Sequence, residues 1–327
     1  MQYWQGLAAV PTPQPASVVT LGNFDGVHRG HQAVLDQVVA TARARGEQAV
    51  ALTFDPHPRL VHRPEEPLVP IVSLPQRLDL LAQRNLDATV VVHYTLDFAQ
   101  QTPEEFVRSA LVETLNASVV IVGHDVRFGR NNSGDFATMR ELGAAHGFDV
   151  IAIDDVGDER RWSSTWVRES LTLGRVAAAA EVLGRQHAVH GEVVHGHARG
   201  RELGFPTANL STETQGLIPA DGVYAGWLID DAERRWPAAI SVGSNPTFDD
   251  IERVVEAHVM DRPEEAISDF NLYGQQVTVE FVARLRGMVA FEGIEKLVAQ
   301  MDRDVTMARL ILRGDMPAVD SDFATTG

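Results

Sequence analysis

His28 and His31 stand three residues apart within Gly22-Asn23-Phe24-Asp25-Gly26-Val27-His28-Arg29-Gly30-His31. At a helix start that spacing turns both rings to one side. There they can donate hydrogen bonds to phosphate oxygens whose charge grows in a transition state. The free N–H groups and partial positive charge of a helix N-terminus act on the same oxygens. Gly26 and Gly30 let the backbone turn and approach a ligand. Two surface histidines in a loop would be the bland reading, and zinc ligation lacks an obvious third ligand. A second group of this kind is Gly196–Leu210, GHARGRELGFPTANL. Gly196, Gly200 and Gly204 surround Arg199 and Arg201, and Phe205-Pro206-Thr207-Ala208-Asn209 follows. Backbone N–H groups of such a loop can cradle phosphates. It is not a Walker loop, because no Gly-Lys-Ser/Thr is present. Thr207 and Asn209 alternate on an extended segment, so both oxygens can face one ion. Hard oxygen ligands suit the Mg²⁺ bound to ATP. An ordinary Gly-rich hairpin with a capping Asn fits the same residues equally well.

The first pair needs a strand before it and a helix after it. Val18–Phe24 is a short apolar run that fits a buried strand. Val34, Leu35, Val38, Val39 and Ala42 share one face of a helix from His31 to Arg45, and Gly46 follows as its cap. Gln48–Asp55, Ala88–Tyr94, Ala117–Gly123 and Val150–Val156 read as further strands. Ser73 opens a helix carrying Leu74, Leu78 and Leu81. Thr102-Pro103-Glu104-Glu105 is a helix start with a capping box. Alternation of strand and helix predicts a parallel sheet covered on both faces. The period changes near Gly184. Ala188–Val194, Gly222–Ile229, Ala238–Val242, Val254–Met260 and Gln276–Leu285 are short strands without long helices between them, which predicts an antiparallel barrel. A closing helix from Gly293 to Leu312 places Ile294, Leu297, Val298 and Met301 on one face, and the polar tail Gly314–Gly327 is expected to be disordered.

Two such patterns fit a chain of 327 residues. The 28 basic and 45 acidic residues give a net charge of −17. An acidic surface repels phosphate backbones, so nucleic acid is not expected as a partner, although a small site can still take a nucleotide. Without cysteine, disulfides, thiolate catalysis and Cys-ligated zinc are excluded. No run approaches the roughly 20 apolar residues of a membrane span, and the N-terminus lacks the marks of a secretory signal. A cytoplasmic protein is expected, and a homo-oligomer is compatible with this composition.

The histidine pair resembles the HxGH signature of the nucleotidyltransferases, and the whole string GNFDGVHRGH resembles the prokaryotic FAD synthetases. Thr53-Phe54-Asp55-Pro56-His57-Pro58, Gly123-His124-Asp125-Val126-Arg127-Phe128-Gly129 and Arg161-Trp162-Ser163-Ser164-Thr165-Trp166-Val167-Arg168 are similar to that family's later blocks, with Val126 where Phe is more usual. GRELGFPTANL resembles the PTAN block of riboflavin kinases. Gly222-Val223-Tyr224, Ser244-Asn245-Pro246-Thr247-Phe248, Val255-Glu256-Ala257-His258, Asn271-Leu272-Tyr273-Gly274 and Phe281–Phe291 follow in that family's order. Together the blocks resemble the bacterial bifunctional riboflavin kinase/FAD synthetase family.

The resemblance implies a Rossmann-like nucleotidyltransferase domain over residues 1–185 and a riboflavin kinase-like antiparallel β-barrel over 186–327. It implies phosphorylation of riboflavin to FMN, then adenylylation of FMN to FAD, with ATP and Mg²⁺ at both steps. Glu256 is implied as the general base of the kinase, and His28, His31 and Arg168 as catalytic groups of the adenylylation. Gly22, Asn23, Phe24, Asp25, Phe54, Pro56, His57, Pro58, Asp125, Arg161, Ser164 and Thr165 are implied at the first site. Gly196, Arg199, Gly200, Arg201, Gly204, Phe205, Pro206, Tyr224, Asn245 and Arg286 are implied at the second, with Thr207 and Asn209 on the metal. A pantetheine-phosphate- or cytidylyl-type transferase would share the first site without needing the barrel. A non-enzymatic flavin sensor or an oligonucleotide-binding barrel would use only the second half, and the acidic balance opposes the oligonucleotide.

Overall fold

The structure is a computed structural model, described for residues 1–66, 68–154, 156–157, 160–195, 205–246, 251–261 and 272–320. It divides into two compact units, Met1–Ser163 and Ser164–Gly327.

In the first unit β1 (Gln2–Gln5), β2 (Ser17–Leu21), β3 (Gln48–Asp55), β4 (Ala88–His93), β5 (Ala117–Gly123) and β6 (Asp149–Ile153) form one sheet, in the order β1-β4-β3-β2-β5-β6. Every neighbouring pair is parallel. Both faces are covered, so the strands carry unbroken apolar runs. Val18, Ala49, Ala51, Val119 and Ile121 face α1 (Arg29–Arg45) and α3 (Leu74–Ala82), where Leu35, Val38 and Leu81 are fully buried. Val19, Val50, Leu52, Val120 and Val122 form the opposite cluster with Phe106, Val107 and Leu111. The latter lie on α4 (Pro103–Phe106) and the π-helical turns Val107–Thr114 that continue it. The capping boxes at Ser73 and Thr102 are both made, and Gly46 ends α1 in the left-handed conformation. The strand order reverses between β2 and β5, and in open parallel sheets that is where ligands sit, beyond the carboxyl ends. One strand and two α-helices of this unit were not foreseen: β1 at the sheet edge, α2 (Pro58–His62), and α5 (Phe136–His146) before β6.

The second unit begins with α6 (Ser164–Thr172) and α7 (Val176–Leu183). Six strands then close a barrel in the order β10-β11-β8-β7-β12-β9. They are β7 (His187–Val194), β8 (Ala208–Leu210), β9 (Gly222–Ile229), β10 (Arg235–Pro246), β11 (Ile251–Val259) and β12 (Gln276–Arg286). α8 (Ile294–Arg313) packs on the barrel through Val305, Ala308 and Ile311. The packing face therefore starts later than expected: Ile294 is 66% exposed, because the barrel surface meets only the later turns of α8. The tail is also corrected as far as residue 320. Asp320 accepts hydrogen bonds from the N–H groups of Ala177 (2.9 Å), Ala178 (3.4 Å) and Arg284 (3.0 Å), so it caps α7 and ties it to β12. Residues 321–327 lie outside the described residues.

The change of apolar period places a domain boundary at 185/186, whereas the compact units part between Ser163 and Ser164. α7 buries Val176, Val182 and Leu183 completely. Full burial of such side chains is worth roughly 1.5–3 kcal/mol each. A fragment of residues 164–327 is expected to unfold cooperatively on its own. One starting at Arg185 is expected to melt at a clearly lower temperature. Equal melting temperatures in a thermal scan would show that α7 contributes nothing to the barrel.

Candidate active sites

The loop from Gly22 to His28 leaves β2 at the reversal of strand order and enters α1. Three of its residues take positive φ: Phe24 at 48°, Gly26 at 81° and Val27 at 41°. For a β-branched residue such as Val27 this is a strained conformation, and strain of this kind gathers at functional loops. Packing holds it, since Phe24 and Val27 are 2% and 1% exposed. Phe24 is thus a support: its ring stands edge-on to His31, 5.3 Å between centroids. Asp25 is buried too, and its Oδ1 accepts from the Ile71 N–H at 2.9 Å.

His28 is the N-cap of α1. Its Nδ1 accepts from the His31 N–H at 3.3 Å, which assigns the ring proton to Nε2. The two imidazoles stack, 3.7 Å between centroids and 23° between planes. Gly30 makes this fit, because a Cβ there would lie 3.1 Å from the His28 ring and 3.3 Å from the Trp162 carbonyl oxygen. Burial, then the neighbouring His28 and Arg161, hold the His31 imidazole well below its ordinary pKa. His31 is therefore neutral at pH 7, and its buried Nδ1 has no hydrogen-bond partner among the described residues. The arrangement offers neutral ring donors at a helix N-terminus, the combination a phosphoryl oxygen requires.

The end of β3 supplies a different surface. The Phe54 ring meets Tyr94 edge-on at 5.5 Å and Phe98 at 6.1 Å, and Tyr94 Oη lies 2.9 Å from His62 Nε2. The sequence reading passed over Tyr94, whose one signal is its place at the carboxyl end of β4. His57 caps α2 through Nδ1, and Pro58 is the first residue of α2. Pro56 completes the same turn. After β5, the exposed Asp125 pairs with Arg161 at 2.6 Å.

In the barrel, strand register brings the kinase candidates together. Glu256 on β11 lies opposite Asn209 on β8 and opposite Ser241 on β10. Its neighbours Val255 and Ala257 point into the core at 1% and 0% exposure, leaving Glu256 half-buried on the other side. Asn209 Nδ2 donates to Thr207 Oγ1 at 3.3 Å, so these two side chains are adjacent. His258 donates from Nδ1 to the Pro206 carbonyl at 2.9 Å, and its ring meets Phe205 at 5.3 Å.

The FAD synthetase family model matches residues 10–166, and the riboflavin kinase model matches residues 183–312. The bifunctional riboflavin kinase/FMN adenylyltransferase of Escherichia coli (strain K12) is 34% identical over 298 residues, 91% of this chain and 93% of the relative. That of Pseudomonas fluorescens is 33% identical over 319 residues, 95% of this chain and 98% of the relative. The chain belongs to the bifunctional riboflavin kinase/FMN adenylyltransferase family. A crystal structure from Streptococcus pneumoniae, described as a macrolide-efflux protein, also matches, with a TM-score of 0.84 and 30% identity. It covers 94% of this chain and 99% of that one. Among the described residues here, no helix is long and apolar enough to cross a membrane.

Other residues implied by membership in this family are distributed unevenly. Ser164, Thr165 and Arg168 stand on the first two turns of α6, with Thr165 exposed. Asn245 lies on β10, opposite Glu252 in register. The Tyr224 side chain is fully buried, and its hydroxyl donates to the Ala220 carbonyl. Arg286 is likewise engaged. Its Nε and Nη2 bind the Asp304 carboxylate at 3.1 and 2.7 Å, and its Nη1 donates to the Gly287 carbonyl at 3.0 Å. It braces β12 against α8. Gly196, Arg199, Gly200, Arg201 and Gly204 lie outside the described residues.

Proposed function

We infer that this chain converts riboflavin to FAD in two steps: it phosphorylates riboflavin to FMN with ATP, then transfers AMP from a second ATP to FMN with release of pyrophosphate. The observation that carries this reading is the pair of family matches, each lying over its own candidate phosphate site. Incubation of the whole chain with riboflavin, Mg²⁺ and ATP, followed by chromatography of the flavins, tests it. FMN and then FAD are expected, and a chain that yields neither overturns the reading. The activity is proposed for the cytoplasm, where ATP is available.

For the kinase step, Glu256 takes the proton of the ribityl hydroxyl as that oxygen attacks the γ-phosphate, the bond from the γ-phosphorus to the β–γ bridging oxygen breaks, and ADP leaves. Thr207 and Asn209 would hold Mg²⁺, because their side chains are adjacent and both carry hard oxygens. When bound, the ion neutralises charge on the phosphates. Phe205 and Pro206 support this edge, Phe205 by packing against the α8 cluster and Pro206 through its bond from His258. Thr207→Ala is expected to raise the Mg²⁺ concentration needed for half-maximal phosphorylation. An unchanged metal titration in that variant removes Thr207 from the metal shell.

For the adenylylation, an FMN phosphate oxygen attacks the α-phosphate of ATP. His28 and His31 donate hydrogen bonds to the oxygens that gain charge. Gly22 and Asn23 hold the entry to the loop. Phe54 and the turn Pro56-His57-Pro58 give an apolar, aromatic rim suited to a flavin ring. Ser164, Thr165 and Arg168 are assigned to this step by their resemblance to the family's SST-x-x-R block: hydroxyls at the start of α6 and a guanidinium suit phosphate oxygens. Asp125 and Arg161 form an ion pair that can bear on ribose or phosphate.

A further inference from the structure

Arg77 lies on α3, in none of the motifs that carry the chemistry, yet it is 6% exposed. Its Nη1 donates to the Asn23 carbonyl at 2.9 Å, and its Nη2 donates to the Phe54 carbonyl at 3.0 Å. Those carbonyls belong to two different loops. Asn23 precedes the turn that ends in His28, and Phe54 precedes Pro56-His57-Pro58. The guanidinium therefore joins the loop after β2 to the loop after β3 at the carboxyl edge of the sheet.

Two further contacts fix the same junction. Thr53 Oγ1 donates to the Asn23 carbonyl at 3.2 Å, and the Ile71 N–H just ahead of α3 donates to Asp25 Oδ1 at 2.9 Å. The loop before His28 is thus held from α3 and its approach by Arg77 and Ile71, and from β3 by Thr53.

This is a poor arrangement for stability alone. The nearest carboxylate oxygen, Asp55 Oδ1, is 3.5 Å away, and Arg77 Nε is buried with no partner among the described residues. The charges of Asp55 and Asp25 favour the guanidinium, but burial outweighs them, and the unsatisfied N–H adds a cost that an apolar side chain of the same volume would avoid. What an apolar residue cannot do is span two carbonyls at a fixed separation. The planar fork of arginine can, and lysine, with one ammonium, reaches only one such site well.

We propose that Arg77 is a positioning residue for FMN adenylylation: its guanidinium fixes the separation between the loop bearing His28 and the loop bearing Phe54 and Pro56–Pro58. This rests on the adenylyltransferase reading of the first unit. If those loops hold ATP phosphate and FMN respectively, their separation sets how the FMN phosphate meets the α-phosphate. A misplacement of about 1 Å between reacting groups can cost about 10²-fold in rate.

The test uses the full chain, with riboflavin phosphorylation as the internal check that the protein is folded and active elsewhere. Arg77→Met is expected to lower kcat/KM for FMN adenylylation by about 10²-fold, and Arg77→Lys by about tenfold, with KM for FMN raised in both. Phosphorylation of riboflavin stays at the wild-type rate. Should Arg77→Met fail to fold, Arg77→Lys decides alone. Wild-type kcat and KM in Arg77→Lys overturn the proposal. So does a fall in kcat that only matches the fraction unfolded by circular dichroism, with KM for FMN unchanged, because that is the mark of a structural role. A wild-type chain that makes no FAD from FMN removes the adenylyltransferase reading instead.

Discussion

His28→Ala is expected to slow the conversion of FMN to FAD by about 10²–10³-fold, the loss typical of one oxyanion-type donor, and to leave phosphorylation of riboflavin unchanged. The size of the effect follows from the tautomer. His28 Nδ1 is occupied by the His31 N–H, so its proton sits on Nε2 and the ring can donate away from the helix. The stacked His31 is kept neutral by burial and adds a second donor. A competing explanation exists, because His28 also caps α1, and losing a cap costs about 0.5–2 kcal/mol of stability. His28→Asn separates the two. Its side-chain oxygen can take the cap bond while Nε2 is gone, so the variant should melt near the wild type and still be slow. A folded His28→Ala or His28→Asn chain with normal FAD output would end the assignment. His31→Ala should also be slow in adenylylation with phosphorylation intact.

Glu256→Gln should almost abolish formation of FMN while supplied FMN is still turned into FAD. Removal of a general base costs about 10²–10⁴-fold. Glutamine keeps the shape and the hydrogen-bonding capacity of the side chain, so the barrel should be undisturbed. The register gives the reason for choosing this carboxylate: it sits across from Asn209, whose side chain touches Thr207. The proposed base thus lies in register with one of the two residues offered to the metal, where β8 and β11 pair. If phosphorylation survives within about threefold, far from the loss expected of a general base, Glu256 has another role.

The legible parts of the chain were those where one physical cause dominates. Strands buried on both faces must be apolar throughout, so β3 and β5 were placed to the residue. Capping chemistry is local, so the starts of α3 and α4 and the end of α1 were readable at Ser73, Thr102 and Gly46. β1 is a four-residue edge strand, QYWQ, with one buried side chain, too short to show a period. β8 has three residues and is a strand only because β7 and β11 pair with it. The face of α8 was misjudged because the apolar stripe runs its full length and only the barrel decides which turns are covered. Arg77 was illegible for another reason. Its partners are backbone carbonyls, and a carbonyl leaves no mark on the sequence.

The bond that closes α7 has a bearing on the order of synthesis. The first N–H groups of that helix find their acceptor 143 residues later, on Asp320. A ribosome delivers the N-terminal unit whole long before that, and domains generally fold as units while the chain is still growing. The second unit has no such freedom. Its second helix, α7, is made long before Asp320 emerges, so that helix stays without this cap until residue 320 has been synthesised. A message cut short between residues 314 and 320 would yield a chain with every catalytic motif in place and its last clasp missing. The tail, polar and without any motif, is therefore a poor place to trim.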